Sequence, residues 1–121
     1  MGSPMFMSPQ VLGSQKYTHK CDTWSLGIIF YCMVFRTSPY DDHTTPKAIL
    51  DKMKSFRDHG VPYPTDAFLS KPCREVIEAC LQFEERDRKD IDRILELQFF
   101  EEMEIPERAL EYYEPNTSFR T

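Results

Sequence analysis

From residue 26 to residue 35 the chain reads Leu-Gly-Ile-Ile-Phe-Tyr-Cys-Met-Val-Phe, and every side chain except that of Gly27 is apolar or aromatic. As a helix this run has no polar face, and a helix apolar all round belongs in an interior. At ~1.5 Å per residue it is about 15 Å long, too short for a bilayer, which needs roughly 20 helical residues. A buried strand is the alternative, since Ile28, Ile29, Phe30, Tyr31 and Val34 all suit strands. The polar start at Asp22-Thr23 and the stop at Arg36-Thr37-Ser38-Pro39 favour a central helix over residues 22–36. The rest of the chain has to be arranged around it.

At 121 residues the chain is one domain or a piece of one. Its 40% hydrophobic and 13% aromatic content can fill a core, which argues against wholesale disorder. With 15 basic and 20 acidic side chains the net charge is −5, so no nucleic acid or anionic membrane is expected as partner. The opening Met-Gly-Ser-Pro-Met-Phe-Met has neither a basic segment nor a long apolar stretch, so no secretory signal is visible. Phe6 also stands where an N-myristoylation pattern needs serine or threonine. Cys21, Cys32, Cys73 and Cys80 form no C-x-x-C pair. Cys73 and Cys80 lie about 10 Å apart along one predicted helix, too far to bridge. Reduced thiols in a cytoplasmic protein are expected. His19 and Cys21 have no second ligand pair at the spacing of a metal site.

Local signals give a coarse reading. Residues 1–7 form a loop. Ser8-Pro9 starts a short helix, with serine as cap and proline in the first turn, and Gly13-Ser14 stops it. A polar connection leads to the central helix, and a loop with Pro39 and Asp41-Asp42 follows it. Thr45-Pro46 starts a helix carrying Ile49, Leu50, Met53 and Phe56 at helical spacing, ended by His59-Gly60. Val61-Pro62-Tyr63-Pro64 is extended, because proline disfavours helix in the residue before it. Ser70 caps a helix with Pro72 in its first turn and a stripe of Val76, Ile77, Cys80 and Leu81. After a charged break at 84–89, Asp90 is placed to cap a last helix with Ile91, Ile94 and Leu95, closed by Phe99-Phe100. Residues 102–121 read as an acidic linker or tail, with one helical turn near 109–113. The expected fold is mainly α, five helices around one buried central member.

No chemistry stands out from the residues alone. The glycines are Gly2, Gly13, Gly27 and Gly60, too scattered for a phosphate cradle. No histidine stands in a recognisable nucleophile motif, although sequence distance leaves a spatial triad open. The adjacent carboxylates Asp41-Asp42, Glu84-Glu85 and Glu101-Glu102 point different ways on a helix and read as solvated charge.

Three stretches in order resemble landmarks of the large lobe of eukaryotic protein kinases. Residues 2–10, Gly-Ser-Pro-Met-Phe-Met-Ser-Pro-Gln, resemble the end of the activation segment, G-[TS]-x-x-[YF]-x-[AS]-P-E. Asp22-Thr23-Trp24-Ser25-Leu26-Gly27 matches D-x-W-S-x-G, which opens the lobe's central helix. Cys80-Leu81, Arg88 eight positions after that cysteine, and Phe99-Phe100 resemble the closing pattern. The resemblance covers residues 1–101 as a partial kinase domain. Its opening is similar to serine/threonine rather than tyrosine kinases, and Asp87-Arg88-Lys89-Asp90 looks most like the autophagy-initiating group.

The resemblance implies roles residue by residue. Ser3 matches the hydroxyl that contacts the catalytic aspartate and lysine. Pro4, Met5 and Phe6 would shape the pocket for the residue after the phosphoacceptor, and so bind protein substrates. Asp22 matches the aspartate that accepts N–H bonds from the catalytic loop, with capping of its own helix as the plainer alternative. Trp24 would pack beneath the substrate-docking loop, and Gly27 completes that motif as a structural residue. Arg88 matches the arginine that pairs with the glutamate ending the activation segment. That glutamate is Gln10 here, so a charged–neutral hydrogen bond is expected in place of an ion pair.

The family's glycine-rich loop, ATP-binding lysine, H-R-D loop and D-F-G segment have no counterpart in these residues, and phosphoryl transfer needs them together. ATP and magnesium are therefore expected to serve a parent kinase and not to bind this piece. About 150 or more residues carrying those landmarks are expected N-terminal to it, given the size of such domains. The central helix should then expose an apolar patch of several hundred Å², about the scale that promotes association. The rival reading is a non-catalytic interaction module or pseudokinase remnant.

Overall fold

The structure is a computed structural model that describes residues 3–40 and 43–102. Gly2, the Asp41-Asp42 pair and the tail from 103 on, with its expected turn near 109–113, lie outside the described residues.

Three helices begin where a hydroxyl precedes a proline: α1 (Pro9–Leu12), α3 (Pro46–His59) and α4 (Lys71–Cys80). The hydroxyls of Ser8, Thr45 and Ser70 accept from the N–H groups of Val11, Ala48 and Cys73, each at 3.3 Å. The prolines occupy first-turn positions whose N–H would have no helical partner. Each cap contributes about 1 kcal/mol.

The apolar run is helical. It belongs to α2 (Lys20–Phe35), which starts two residues before Asp22 and ends on Arg36 in the left-handed region, φ 58°. The last expected helix is split into α5 (Ile91–Ile94) and α6 (Gln98–Glu101), because Leu97 between them is extended at ψ 154°. Asp90 precedes α5 but does not cap it with its side chain. Its Oδ1 lies 2.8 Å from His19 Nε2 instead, joining the starts of α5 and α2 across the surface. Among the described residues there is no strand.

The core lies between α2, α3 and α4. Trp24, Ile28 and Tyr31 of α2 meet Ile49 and Met53 of α3, and Val76, Ile77 and Cys80 of α4, with Tyr40, Leu81 and Ile94 closing the cluster. Gly27 lets α2 approach α4 closely: a Cβ there would stand 2.5 Å from Cys80 Cβ. The opposite face of α2 is open. Ile29, Met33 and Val34 are 44%, 74% and 39% exposed, so the helix is the hub of the fold with one apolar side uncovered. The chain is accordingly expected to bind a hydrophobic dye and to sediment as a concentration-dependent mixture. A sharply monomeric species without dye binding would contradict that exposure. Met33→Lys should reduce the dye signal several-fold while leaving the core intact.

Burial also makes the core sensitive to alkali. It pushes the Cys80 thiol from 9.0 up to about 12, against the opposing pull of Arg88. Burial likewise raises the hydroxyls of Tyr40 and Tyr63. In the unfolded chain the thiol loses its proton from about pH 9 upward, while in the folded chain it keeps it. Above that point the unfolded state binds fewer protons, and stability falls by up to about 1.4 kcal/mol per pH unit for the Cys80 thiol, with the buried Tyr40 hydroxyl adding to the fall above pH 10.0. The urea midpoint is therefore expected to be flat near pH 8 and to fall steeply above about 9.5. A midpoint unchanged at about pH 10.5 would mean that these groups reach water.

Candidate functional site

The first described residues form a 3-10 turn, Pro4–Phe6, seeded by Ser3, whose Oγ accepts from Met5 N at 3.3 Å. The turn is fastened to α2: the Ser25 hydroxyl lies 2.6 Å from the Phe6 carbonyl oxygen and 3.2 Å from that of Cys21. Ser3 is exposed, while Pro4, Met5 and Phe6 are half-buried. Met5 and Phe6 pack on the core, so the turn presents a partly apolar surface set on the central helix.

Beside Trp24 of the same helix lies a buried cation. Arg88 is 1% exposed and stacks 5.2 Å from the Trp24 ring. Its Nε donates to Gln82 O at 2.9 Å and Nη1 to Lys20 O at 3.1 Å. Nη2 reaches Gln10 Oε1 at 2.9 Å and Phe83 O at 3.1 Å. Gln10 closes the circuit by donating from Nε2 to the same Phe83 carbonyl at 2.9 Å. The amide thus accepts from the guanidinium and donates to a carbonyl, which a carboxylate could not do. Burial lowers the Arg88 pKa, and the nearby Glu85 carboxylate opposes that shift. Glu85 is itself held below its usual range by the Thr18 N–H at 3.0 Å. One side chain therefore ties α1, the start of α2 and the loop after α4 together.

Trp24 is fully buried, its ring stacked 6.4 Å from Phe56 of α3, and Gly27 sits against Cys80 and Leu81. Asp22 stands apart from this assembly. It is exposed in the first turn of α2, where its Oδ1 has the Cys21 thiol 3.8 Å away. It does not cap its helix either, because the N-cap position falls on His19. The structure therefore brings Gln10, Trp24 and Arg88 together, sets Ser3 to Phe6 on α2, and leaves Asp22 facing solvent.

The backbone acceptors at Lys20, Gln82 and Phe83 were invisible in the sequence, because every residue carries a carbonyl. The Ser25 hydroxyl lay inside the D-x-W-S-x-G stretch but had no assigned partner. Gly27 is filled against α4, Gly13 and Gly60 are far apart in the chain, and among the described residues no three His, Cys, Asp or Glu side chains are placed to hold a metal. Among the described residues no helix is long and apolar enough to cross a membrane.

A helical hub with a half-buried turn fastened to it by Ser25, and an arginine tying α1, the start of α2 and the loop after α4, defines a class. The chain belongs to the protein kinase domain family, whose model matches residues 1–100. It is 37% identical over 95 residues to human testis-specific serine/threonine-protein kinase 1, covering 78% of this chain and 25% of that one. It is 30% identical over 100 residues to a probable serine/threonine-protein kinase, nek3, of Dictyostelium discoideum, covering 82% and 8%. The Caenorhabditis elegans serine/threonine-protein kinase tousled-like 1 is 27% identical over 101 residues, 82% of this chain and 10% of that one. The chain thus spans a quarter or less of these relatives. The solved twitchin kinase region of C. elegans superposes with a TM-score of 0.70 at 22% identity, over 87% of this chain and 18% of that one. The fold is that of a helical portion of a kinase large lobe.

Proposed function

We propose that these residues serve a serine/threonine protein kinase that transfers phosphate from magnesium-ATP to protein hydroxyls in the cytoplasm. Their part is to hold the turn that receives the substrate. Pro4, Met5 and Phe6 accommodate the residue after the phosphoacceptor, while Ser3 faces the catalytic groups, which lie outside these 121 residues. The finer placement in the autophagy-initiating group rests on Asp87 to Asp90. The observation that carries the docking role is the 2.6 Å bond from Ser25 of α2 to Phe6 O, which fixes a half-apolar turn on the central helix. A rigid support of this kind is what substrate positioning requires.

These residues hold no counterpart of the family's ATP-binding lysine, H-R-D loop or D-F-G segment, so the chain on its own is proposed to be inactive. Thermal-shift titration with magnesium-ATP is expected to show no change, and a saturable rise would overturn this part. The docking role is tested by exchanging residues 1–100 into the matching stretch of testis-specific kinase 1. An active chimera is expected, in which Phe6→Ala raises the KM for a peptide substrate several-fold with little change in kcat. A folded chimera that binds ATP without phosphorylating would favour a non-catalytic interaction module.

A further inference from the structure

Away from the turn, a cleft of about 480 Å³ opens between the C-terminal end of α3 and the loop that follows α4. Leu81, buried, and Val61 and Phe83, half-buried, give it an apolar floor. The exposed side chains of Glu78, Glu84 and Asp87 surround it. Arg57, the cation among the lining residues, is already engaged: its Nε lies 3.0 Å from Asp58 Oδ1, and its guanidinium sits 5.1 Å over the Phe83 ring. Three carboxylates against one committed guanidinium leave the cleft net negative. Gly60 borders it at φ +84°, and a Cβ there would find nothing within 4 Å, so the backbone has open space beside it. The floor is firm, because Phe83 O is gripped by both Gln10 Nε2 and Arg88 Nη2.

We infer that this cleft docks a basic, apolar peptide segment, in which arginine or lysine alternates with leucine-like residues. Such side chains have the required shape: an aliphatic stem to lie on Val61, Leu81 and Phe83, and a charged tip to reach the carboxylates. An anion would meet three carboxylates. A wholly apolar ligand would leave the charge complementarity unused.

The test uses the full chain and a fluorescein-labelled peptide of alternating arginine and leucine, followed by anisotropy. Saturable binding is expected, weakening several-fold between low and physiological salt, because the tips sit at an exposed rim. Glu78→Lys with Asp87→Lys should weaken it at least tenfold. Glu75→Lys, on the same helix but outside the cleft, should leave it within about twofold. Equal loss in the Glu75→Lys control would reduce the effect to the chain's overall negative charge and overturn the proposal. So would equal binding of a glutamate–leucine peptide, or no saturation. A benzophenone-bearing version of the basic peptide gives a readout on the unaltered chain. Cross-links should fall within residues 56–61 and 78–87, and cross-links elsewhere, on the open face of α2 for instance, would overturn it.

Discussion

Arg88→Ala is expected to cost about 3–5 kcal/mol, enough to unfold much of the chain at room temperature. The side chain, itself 1% exposed, donates to three backbone carbonyls and to Gln10. Removing it takes a donor from four acceptors, of which Phe83 O keeps the Gln10 amide, at ~1–3 kcal/mol for each one left unpaired, less whatever water entering the space recovers. The Trp24 ring also loses its stacked cation. Relief of Arg88's own desolvation offsets part of this, which is why the sum stays below the separate costs. Arg88→Lys should recover little, since one ammonium cannot reach carbonyls arranged around a planar fork. Gln10→Glu tests the other side. It supplies a counter-charge but removes the donor to Phe83 O, and it turns a carboxylate oxygen toward that carbonyl. At an effective dielectric of ~20 a close ion pair gains about 4 kcal/mol, against one lost hydrogen bond and the burial of a carboxylate, for a net gain of about 1. The sign is checkable by pH. The gain should be present above the unfolded glutamate's pKa of about 4.3 and lost as the pH falls through the depressed value in the folded state. Urea midpoints of wild type, Gln10→Glu and Arg88→Ala, compared at one protein concentration, decide it. An Arg88→Ala midpoint close to wild type would mean that the buried circuit does not hold the fold.

How much of this could be read from the chain follows from how local each signal is. The hydroxyl–proline starts at Ser8, Thr45 and Ser70 were legible because cap, proline and first turn lie within three residues of one another. The helical stripe Ile49, Met53 and Phe56 was legible for the same reason, and all three are buried. Asp90 shows where such reasoning fails. It has the right type and place for a cap, but His19, 71 residues away in sequence, takes its carboxylate. The break at Leu97 and the role of Phe83 likewise depend on what the surrounding elements leave free. The run 26–35 announced an interior helix but not which side would be covered. With no polar face to mark the outside, Met33 and Ile28 look alike in sequence, yet one is 74% exposed and the other fully buried. The pairing of Gln10 with Arg88 came from resemblance alone, since 78 residues separate them. No periodicity reaches that far.

Gly27→Val should be as damaging as the loss of Arg88, for the opposite reason. A Cβ at residue 27 would lie 2.5 Å from Cys80 Cβ and 2.8 Å from Leu81 Cδ2. The leucine tip can rotate aside, but the cysteine Cβ moves only with the backbone of α4. Even alanine therefore forces α2 and α4 apart, loosening the contacts of Ile28, Ile77 and Leu81 in the core. Overpacking of this kind costs about 1–3 kcal/mol. Alanine recovers about 1 kcal/mol of helix propensity over glycine, which leaves a net loss of up to about 2. Valine adds a branch at the crowded atom without that recovery, and a loss above about 3 kcal/mol is expected. The partner substitution separates this cause from a generic glycine effect. Cys80→Ala keeps the offending Cβ and should not relieve Gly27→Ala. Cys80→Gly removes it and should, giving a coupling energy of about 1 kcal/mol in a double-mutant cycle. If Cys80→Ala rescued as well as Cys80→Gly, the sulfur and not the close approach of the two helices would be the source of the strain.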